Sequence, residues 1–395
     1  LANPLSGGIS SVCHFLVAFS LFRLPGLLCS GFRFSCNREE TGGFLMLLQP
    51  PRTFLVFPMN LLALVENLEN PCCRYRVRPF GPALGDRGIR LEIADLARSP
   101  WRRVGQLVEA GRADGVLLQR KLLPLWQLVL LRRRAKRLIY DIDDALFQRD
   151  SFHPKGPESW QRTFGFWATV YASDAVLAGN RFLQERVARY IGPQRVYRIP
   201  TCVDTRQYPL AEHRPTGPGI KLVWIGQARN LTSLYCLQEH LAQAARHTPG
   251  ISLRVICNQF PRLEGVRVIP YRWASDTEHH ALAEADIGVC WLPPDTWSLG
   301  KCGLKVLQYM AAGLPVVANP VGIHRELVQH GRTGFLAETP AEWAWAIQQL
   351  ANHPELRRRM GRAARSLVEQ EYDLTWWAPK WAEIVAGLVT PWSLR

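Results

Sequence analysis

No two of the ten cysteines are spaced as C-x-x-C, and no Cys/His group has zinc-ligand spacing. A zinc module and a dithiol redox motif are therefore excluded, and free thiols of a reducing cytoplasm are expected. Zinc-finger, RNP-like and basic heptad signatures are missing as well, so nucleic acid is not an expected partner. No repeat of solenoid length is present. Nor is there an uninterrupted apolar run of about 20 residues, the length a membrane-spanning helix needs. Residues 8–35 are apolar but broken by Arg23, Pro25 and glycines, without a clear signal-peptide n-region or cleavage site. The scarcer charge is negative: 33 acidic residues face 48 Lys and Arg, a formal net charge of +15. That balance implies anionic company: nucleic acid, which has only the charge in its favour, phosphorylated substrates, or acidic lipid headgroups.

What is present is an ordinary globular composition, 47% hydrophobic and 21% charged, in a chain long enough for two domains. The run Met59-Asn60-Leu61-Leu62-Ala63-Leu64-Val65 reads as a first strand that begins at a methionine. Residues 1–58 are accordingly expected to be an extension outside the fold or a start-site artefact, with an N-terminal membrane anchor as the alternative.

From Met59 onward short apolar runs alternate with helix-like stretches, the pattern of β-α-β units and parallel sheets. Strands are expected at 60–65, 89–93, 115–118, 137–142, 175–178 and 196–199, with a helix over 122–134. Residues 208–219 hold Pro209, Pro215, Gly217, Pro218 and Gly219, which is linker chemistry. A second series follows, with strands at 221–225, 252–257, 266–269, 286–291, 315–318 and 334–336. Its helices are expected at about 231–247, 277–284, 303–312, 322–330 and 340–351. The division is an N-terminal Rossmann-like domain over 59–212, a second over 213–375, and a last helix over 376–395 crossing back to the first. Two such α/β domains face each other across a cleft at the carboxyl ends of their sheets.

The chemistry concentrates between Pro293 and Phe335, above all from Leu299 to Ala318. A glycine-rich turn, Gly300-Lys301-Cys302-Gly303, opens a helix that runs into Gly313-Leu314-Pro315 and a valine-rich strand. Backbone N–H groups at a helix start attract anions, and glycine lets a phosphate come close. Lys301 and Lys305, four residues apart, can both face a diphosphate as point charges. Gln308, three residues on, lies on a similar face and can bond sugar hydroxyls. The plainer reading is a surface helix whose lysines face water. In the N-terminal half Tyr140-Asp141-Ile142-Asp143-Asp144 follows a strand and faces the cleft. Asp143 reads as a contact to sugar or acceptor and Asp144 as a structural cap, unless all three aspartates only solvate a turn. Arg74 and Arg76, after the first strand, are candidates for a phosphate of donor or acceptor. Glu278 reads as no more than a first-turn acid. The stretches 119–121 and 132–137 make a basic, leucine-rich helix that either rests on an anionic membrane or packs on the sheet.

From Met59 to the end the sequence resembles the GT-B retaining glycosyltransferases of glycosyltransferase family 4, also called group 1. The resemblance is carried by Leu307-Gln308-Tyr309-Met310-Ala311-Ala312-Gly313-Leu314-Pro315-Val316-Val317-Ala318, by Gly322 with Glu326, by Gly331-Arg332-Thr333-Gly334-Phe335-Leu336, and by Ile199-Pro200-Thr201-Cys202-Val203-Asp204. It implies a GT-B fold and a donor site built from Gly226, Gln227, Arg229, Gly300, Gly303 and Gln308. Asp143, Lys301 and Lys305 are the implied catalytic groups, with no metal and no cofactor besides the nucleotide-sugar substrate. Two departures stand out: Gly300 and Gln308 occupy the places of two glutamates, and the usual basic pair after the first donor-domain strand is reduced to Arg229. The implied activity is sugar transfer with retention to a glycan or lipid-linked acceptor, in cell-surface polysaccharide or lipopolysaccharide assembly. The implied place is the cytoplasm, with peripheral contact at the inner face of an anionic membrane. The alternatives are an inactive nucleotide-sugar binder and a basic membrane-surface protein.

Overall fold

The computed structural model describes residues 59–213 and 219–390. The expectations for residues 1–58, and the heart of the linker at 214–218, lie outside the described residues.

The first half runs β1 (Met59–Val65), α1 (Pro71–Arg76), α2 (Gly81–Gly85), β2 (Ile89–Asp95), α3 (Pro100–Glu109), β3 (Gly115–Gln119), α4 (Leu125–Arg134), β4 (Leu138–Ile142), α5 (Trp160–Ala172), β5 (Ala175–Ala178), α6 (Arg181–Ile191) and β6 (Val196–Arg198). These six strands form one parallel sheet in the order β2-β1-β3-β4-β5-β6. The strands are buried on both faces, which is why β3, β4 and β5 are short and almost wholly apolar. Helices α3 to α6 cover one face, around Leu107, Leu128, Phe166 and Leu183. Side-chain caps set two of the starts: Ser159 accepts from the Arg162 amide and Asn180 from that of Leu183. Helix α4 starts at 125, not 122, because Pro124 takes the N-cap place and restrains the residue before it from helical angles.

The second half runs β7 (Lys221–Ile225), α7 (Leu231–Cys236), α8 (Gln238–His247), β8 (Ser252–Cys257), β9 (Arg267–Arg272), α9 (Glu278–Ala283), β10 (Ile287–Cys290), α10 (Thr296–Leu299), α11 (Leu304–Ala311), β11 (Val316–Ala318), α12 (His324–Leu327), β12 (Gly334–Leu336), α13 (Pro340–Asn352), α14 (Pro354–Glu371) and α15 (Leu374–Val389). Its sheet is again parallel, in the order β12-β11-β10-β7-β8-β9. The expected helix 231–247 is two helices meeting at Leu237, and the expected 322–330 shrinks to α12. Gly322, at φ 53°, and Val328, in an extended conformation, bound that short turn.

Two features position the site. Strand order reverses between β1 and β3 and between β7 and β10, so each sheet opens a crevice at its carboxyl edge there. Helix α15 returns to the first sheet's other face. Asp373 accepts from Thr205 N at 3.0 Å, and Trp381 stacks on Phe80 at 5.0 Å between centroids. Trp381 is fully buried with Val385 and Val389 in the core around β1 and α2. Replacing it with Ala is expected to cost about 3–5 kcal/mol, read as a lower denaturant midpoint for unfolding of the intact chain.

Candidate functional site

The segment 299–305 carries the geometry. Gly303 is the N-cap residue of α11, at φ 71°, and supplies no side-chain cap. The first-turn amides of α11 therefore face the preceding turn uncapped. Lys305 follows in that first turn. Its ammonium lies 5.4 Å from the centre of the Trp224 ring, and its Cε lies 3.0 Å from where a Cβ on Gly226 would stand. Gly226 is thus a necessity of packing as well as of a tight turn after β7. Among the described residues Lys305 has neither a carboxylate nor a hydrogen-bond partner. Burial holds its pKa below the usual lysine value, and Lys301 and Arg229 push in the same direction. Arg229 stands exposed in the turn that follows Gln227. Three cations thus converge on one small region, the condition in which an anion is most welcome.

The N-terminal half meets this segment directly. Lys301 Nζ is 2.9 Å from Asp144 Oδ1, and Asn180 Nδ2 donates to the carbonyls of both Leu299 and Lys301 at 2.9 Å. Cys302 Sγ donates to the Asp143 carbonyl at 3.3 Å. Gly300 is pressed against Ala145: a Cβ there would lie 2.8 Å from the Ala145 Cβ and closer still to its amide. The glutamate implied by the family pattern would not fit in this arrangement, so the departure at Gly300 has a steric counterpart.

Arg120 ties the aspartates together. It sits just past β3 at φ 57°, an uncommon angle for a residue other than glycine. Its guanidinium is 2.9 Å from Asp143 and also pairs with Asp144. Burial drives the Asp143 carboxyl above its ordinary pKa, against the pull of Arg120 and with the push of Asp144. For Asp144 burial acts the same way, but Arg120 and Lys301 outweigh it and hold the carboxyl below the ordinary range. Each of the three aspartates already faces a cation, since Asp141 pairs with Arg76 at 2.6 Å.

Several expectations need correction. Arg76 does not face the cleft as an open cation: it is 1% exposed, bidentate to Asp141 and bonded to the Ile199 carbonyl. Arg74 is paired with Glu278 at 2.9 Å. Gln308 is buried, and its amide donates to Tyr75 Oη at 3.1 Å. Asp144 is more than a turn cap, because it bridges the halves. Glu278 is more than a first-turn acid, since it accepts from Arg74, from Tyr75 Oη at 3.0 Å and from Trp273 Nε1 at 2.7 Å. This carboxylate of the second half ties down a tyrosine and an arginine of the first. No local signal in the sequence marks it, because its arginine and tyrosine partners lie about 200 residues away. A separate cavity of about 490 Å³ adjoins Asn180, lined also by Arg198, Ile323, Glu326, Trp377 and Lys380. No helix among the described residues is long and apolar enough to cross a membrane.

Comparison with known proteins places this geometry. Residues 219–353 match the family model Glycosyl transferases group 1. The second half is thus similar to the glycosyltransferases of group 1. Among curated relatives it is 40% identical over 72 residues to N-acetyl-alpha-D-glucosaminyl L-malate synthase of Bacillus anthracis, 18% of this chain and 19% of that one. It is 24% identical over 222 residues to glycogen synthase of Mycobacterium tuberculosis, 52% of each. The chain thus spans about half, or less, of these relatives' length. Among solved structures, HepE of Anabaena in complex with UDP and glucose aligns at TM-score 0.63 and 16% identity, covering 84% of this chain and all of that one. Sucrose-phosphate synthase of Thermosynechococcus elongatus aligns at TM-score 0.67 and 17% identity, covering 84% and 99%. The fold is GT-B: two Rossmann-like α/β domains with parallel sheets.

Removing the Glu278 carboxylate leaves Arg74 unpaired where the two halves of the fold meet. Glu278→Ala is expected to destabilise the protein by about 3–5 kcal/mol, read as a lowered urea midpoint, whereas the exposed Glu239→Ala is expected to leave it unchanged.

Proposed function

We propose that the protein moves a sugar from a nucleotide-sugar donor to a glycan or lipid-linked acceptor, with retention, in cell-surface polysaccharide or lipopolysaccharide assembly. The observation that carries this reading is Lys305: a partly buried ammonium without an ion-pair partner among the described residues, beside uncapped amides and two further cations. A diphosphate supplies what the site lacks. The structures of HepE with UDP and glucose support trying a uridine nucleotide first.

In this reading the diphosphate lies over the start of α11. Lys305 and Arg229 hold its charge, and Gly226, Gln227 and Gly303 leave room for it. Lys301 swings from Asp144 towards the phosphate as charge develops. The bond between the anomeric carbon and the phosphate oxygen breaks, and the acceptor oxygen bonds to that carbon on the same face. The acceptor proton passes to the departing phosphate oxygen, so no protein base is required. Asp143, with its raised pKa, contacts the sugar or acceptor. Contact between the halves keeps water out and favours the acceptor hydroxyl over hydrolysis. No metal or cofactor takes part, and Arg74 and Arg76 act as structural ties. The reaction takes place on the cytoplasmic side, with the protein resting on an anionic membrane surface.

A second reading, a nucleotide-sugar binder that no longer transfers, draws on Gly300 and Gln308, which stand where the family pattern implies glutamates. Turnover separates the two: release of nucleoside diphosphate on addition of a membrane extract supports transfer, and saturable binding without release supports the second.

Binding itself tests the donor site. Calorimetry with uridine, guanosine and adenosine diphosphates is expected to find one saturable ligand. Lys305→Met is expected to weaken it by about 1.5–3 kcal/mol, roughly 10- to 150-fold. Failure of all three to bind the folded protein would refute the reading.

The pH dependence has a definite sign. Burial lowers the Lys305 pKa in the free protein, and a bound anion restores it, so binding takes up a proton on the alkaline side. Affinity is expected to fall as pH rises through the lowered value. Calorimetry across the alkaline range in buffers of different ionisation enthalpy would register that uptake, which Lys305→Met removes.

A further inference from the structure

Three large tryptophans stand in water on the first domain, all at equivalent places. Trp101 is the second residue of α3, Trp126 the second of α4 and Trp160 the first of α5, at 85%, 56% and 74% exposure. Because strands β2, β3 and β4 are parallel, these three helices all begin at the carboxyl edge of the sheet, beside the cleft. The helices are neighbours on one face. Arg103 Nε of α3 donates to the Ala97 carbonyl, and its Nη1 reaches Gln127 Oε1 of α4 at 3.4 Å, so the first turns of α3 and α4 adjoin. Leu122, just before α4, lies against Gly165 of α5. With adjacent helices about 10 Å apart, the rings form a row along one edge rather than a cluster.

The row is apolar and basic together. Leu125 is half exposed beside Trp126, and Phe152 is exposed in the loop leading to Trp160. Arg98 and Arg102 flank Trp101 in the open, and Lys155 lies between Phe152 and Trp160, while Asp150 and Glu158 are the exposed acids there. A soluble surface has no use for three tryptophans at the same end of three helices. An interface between water and lipid does, because the indole has an apolar body and a polar N–H and favours the headgroup level. The exposed cations and the net charge of +15 select an anionic surface.

We propose that this rim, Trp101, Trp126 and Trp160 with Leu125, Arg98 and Arg102, docks the first domain onto an anionic lipid bilayer. The cleft mouth then faces the membrane. The inference rests on the lipid-linked acceptor of the proposed function for its purpose, but not for its test. Leucines 128 and 131 of α4 play no part, since both are buried against the sheet.

The test uses the full chain and vesicles of phosphatidylglycerol and phosphatidylcholine, a part of whose acyl chains carry bromine as a quencher of tryptophan emission. The wild type is expected to be quenched and to sediment with the vesicles. Trp101→Ala, Trp126→Ala and Trp160→Ala together are expected to abolish most of the quenching and weaken sedimentation by roughly tenfold or more. Vesicles of phosphatidylcholine alone are expected to bind weakly. Equal quenching of wild type and triple variant would overturn the proposal, even if another segment brought the chain to the membrane. It would equally be overturned if the triple variant bound vesicles as before but lost affinity for a soluble glycan, since the row would then be a sugar platform. Calorimetry with uridine diphosphate on the same variant keeps the donor site separate: it is expected to be unchanged whichever way the vesicle result falls.

Discussion

Lys305 takes its charge into a niche formed by Trp224 and Gly226, and among the described residues no carboxylate follows it there. An ammonium partly withdrawn from water costs free energy unless something returns the lost solvation. The Trp224 ring returns a part through its electron-rich face. The remainder is left to whatever anion enters, in the same sense as the lowered pKa. Much else follows from keeping this niche open. Glycine stands at 226 because a side chain would meet Lys305 and Trp224. Glycine stands at 303 because the turn into α11 needs a positive φ, and a Cβ there would crowd Ile323 and Leu327.

Around that niche the two halves are joined by paired charges instead of apolar surface alone. Asp144 holds Arg120 on its own side and Lys301 on the other, and Glu278 holds Arg74 and Tyr75. Paired charges can exchange partners, which apolar packing cannot do, and Lys301 is the residue best placed to exchange. The contact of Gly300 with Ala145 sets how closely the halves approach. A side chain at 300 would hold them apart.

Legibility in the sequence followed the range of the interaction. Parallel strands buried on both faces are continuous apolar runs, so β5, β7, β8 and β12 begin and end where the residue pattern says. The Lys301–Lys305 spacing on a glycine-opened helix was equally local, and the structure brings both lysines to one region. The failures are all long-range. Arg76 looked like an open cation because Asp141, 65 residues on, is what buries it. The helical face of Gln308 points to a sugar contact, whereas its amide nitrogen donates to Tyr75 of the other half. Glu278 and Arg120 carry no local signal: one is an acid at a helix start whose arginine and tyrosine partners come from the other half, the other a single residue past a strand whose aspartates lie more than 20 residues on. The rim tryptophans were visible as residues, but their common position needed the parallel order of the sheet.

A crystal structure grown with uridine or guanosine diphosphate would probe the niche most directly. The expected result is a diphosphate over the first turn of α11, with oxygens within hydrogen-bond reach of Lys305 Nζ and the Lys301 ammonium turned from Asp144. A nucleotide seated elsewhere, with Lys305 still unpaired beside Trp224, would contradict the role given to that charge.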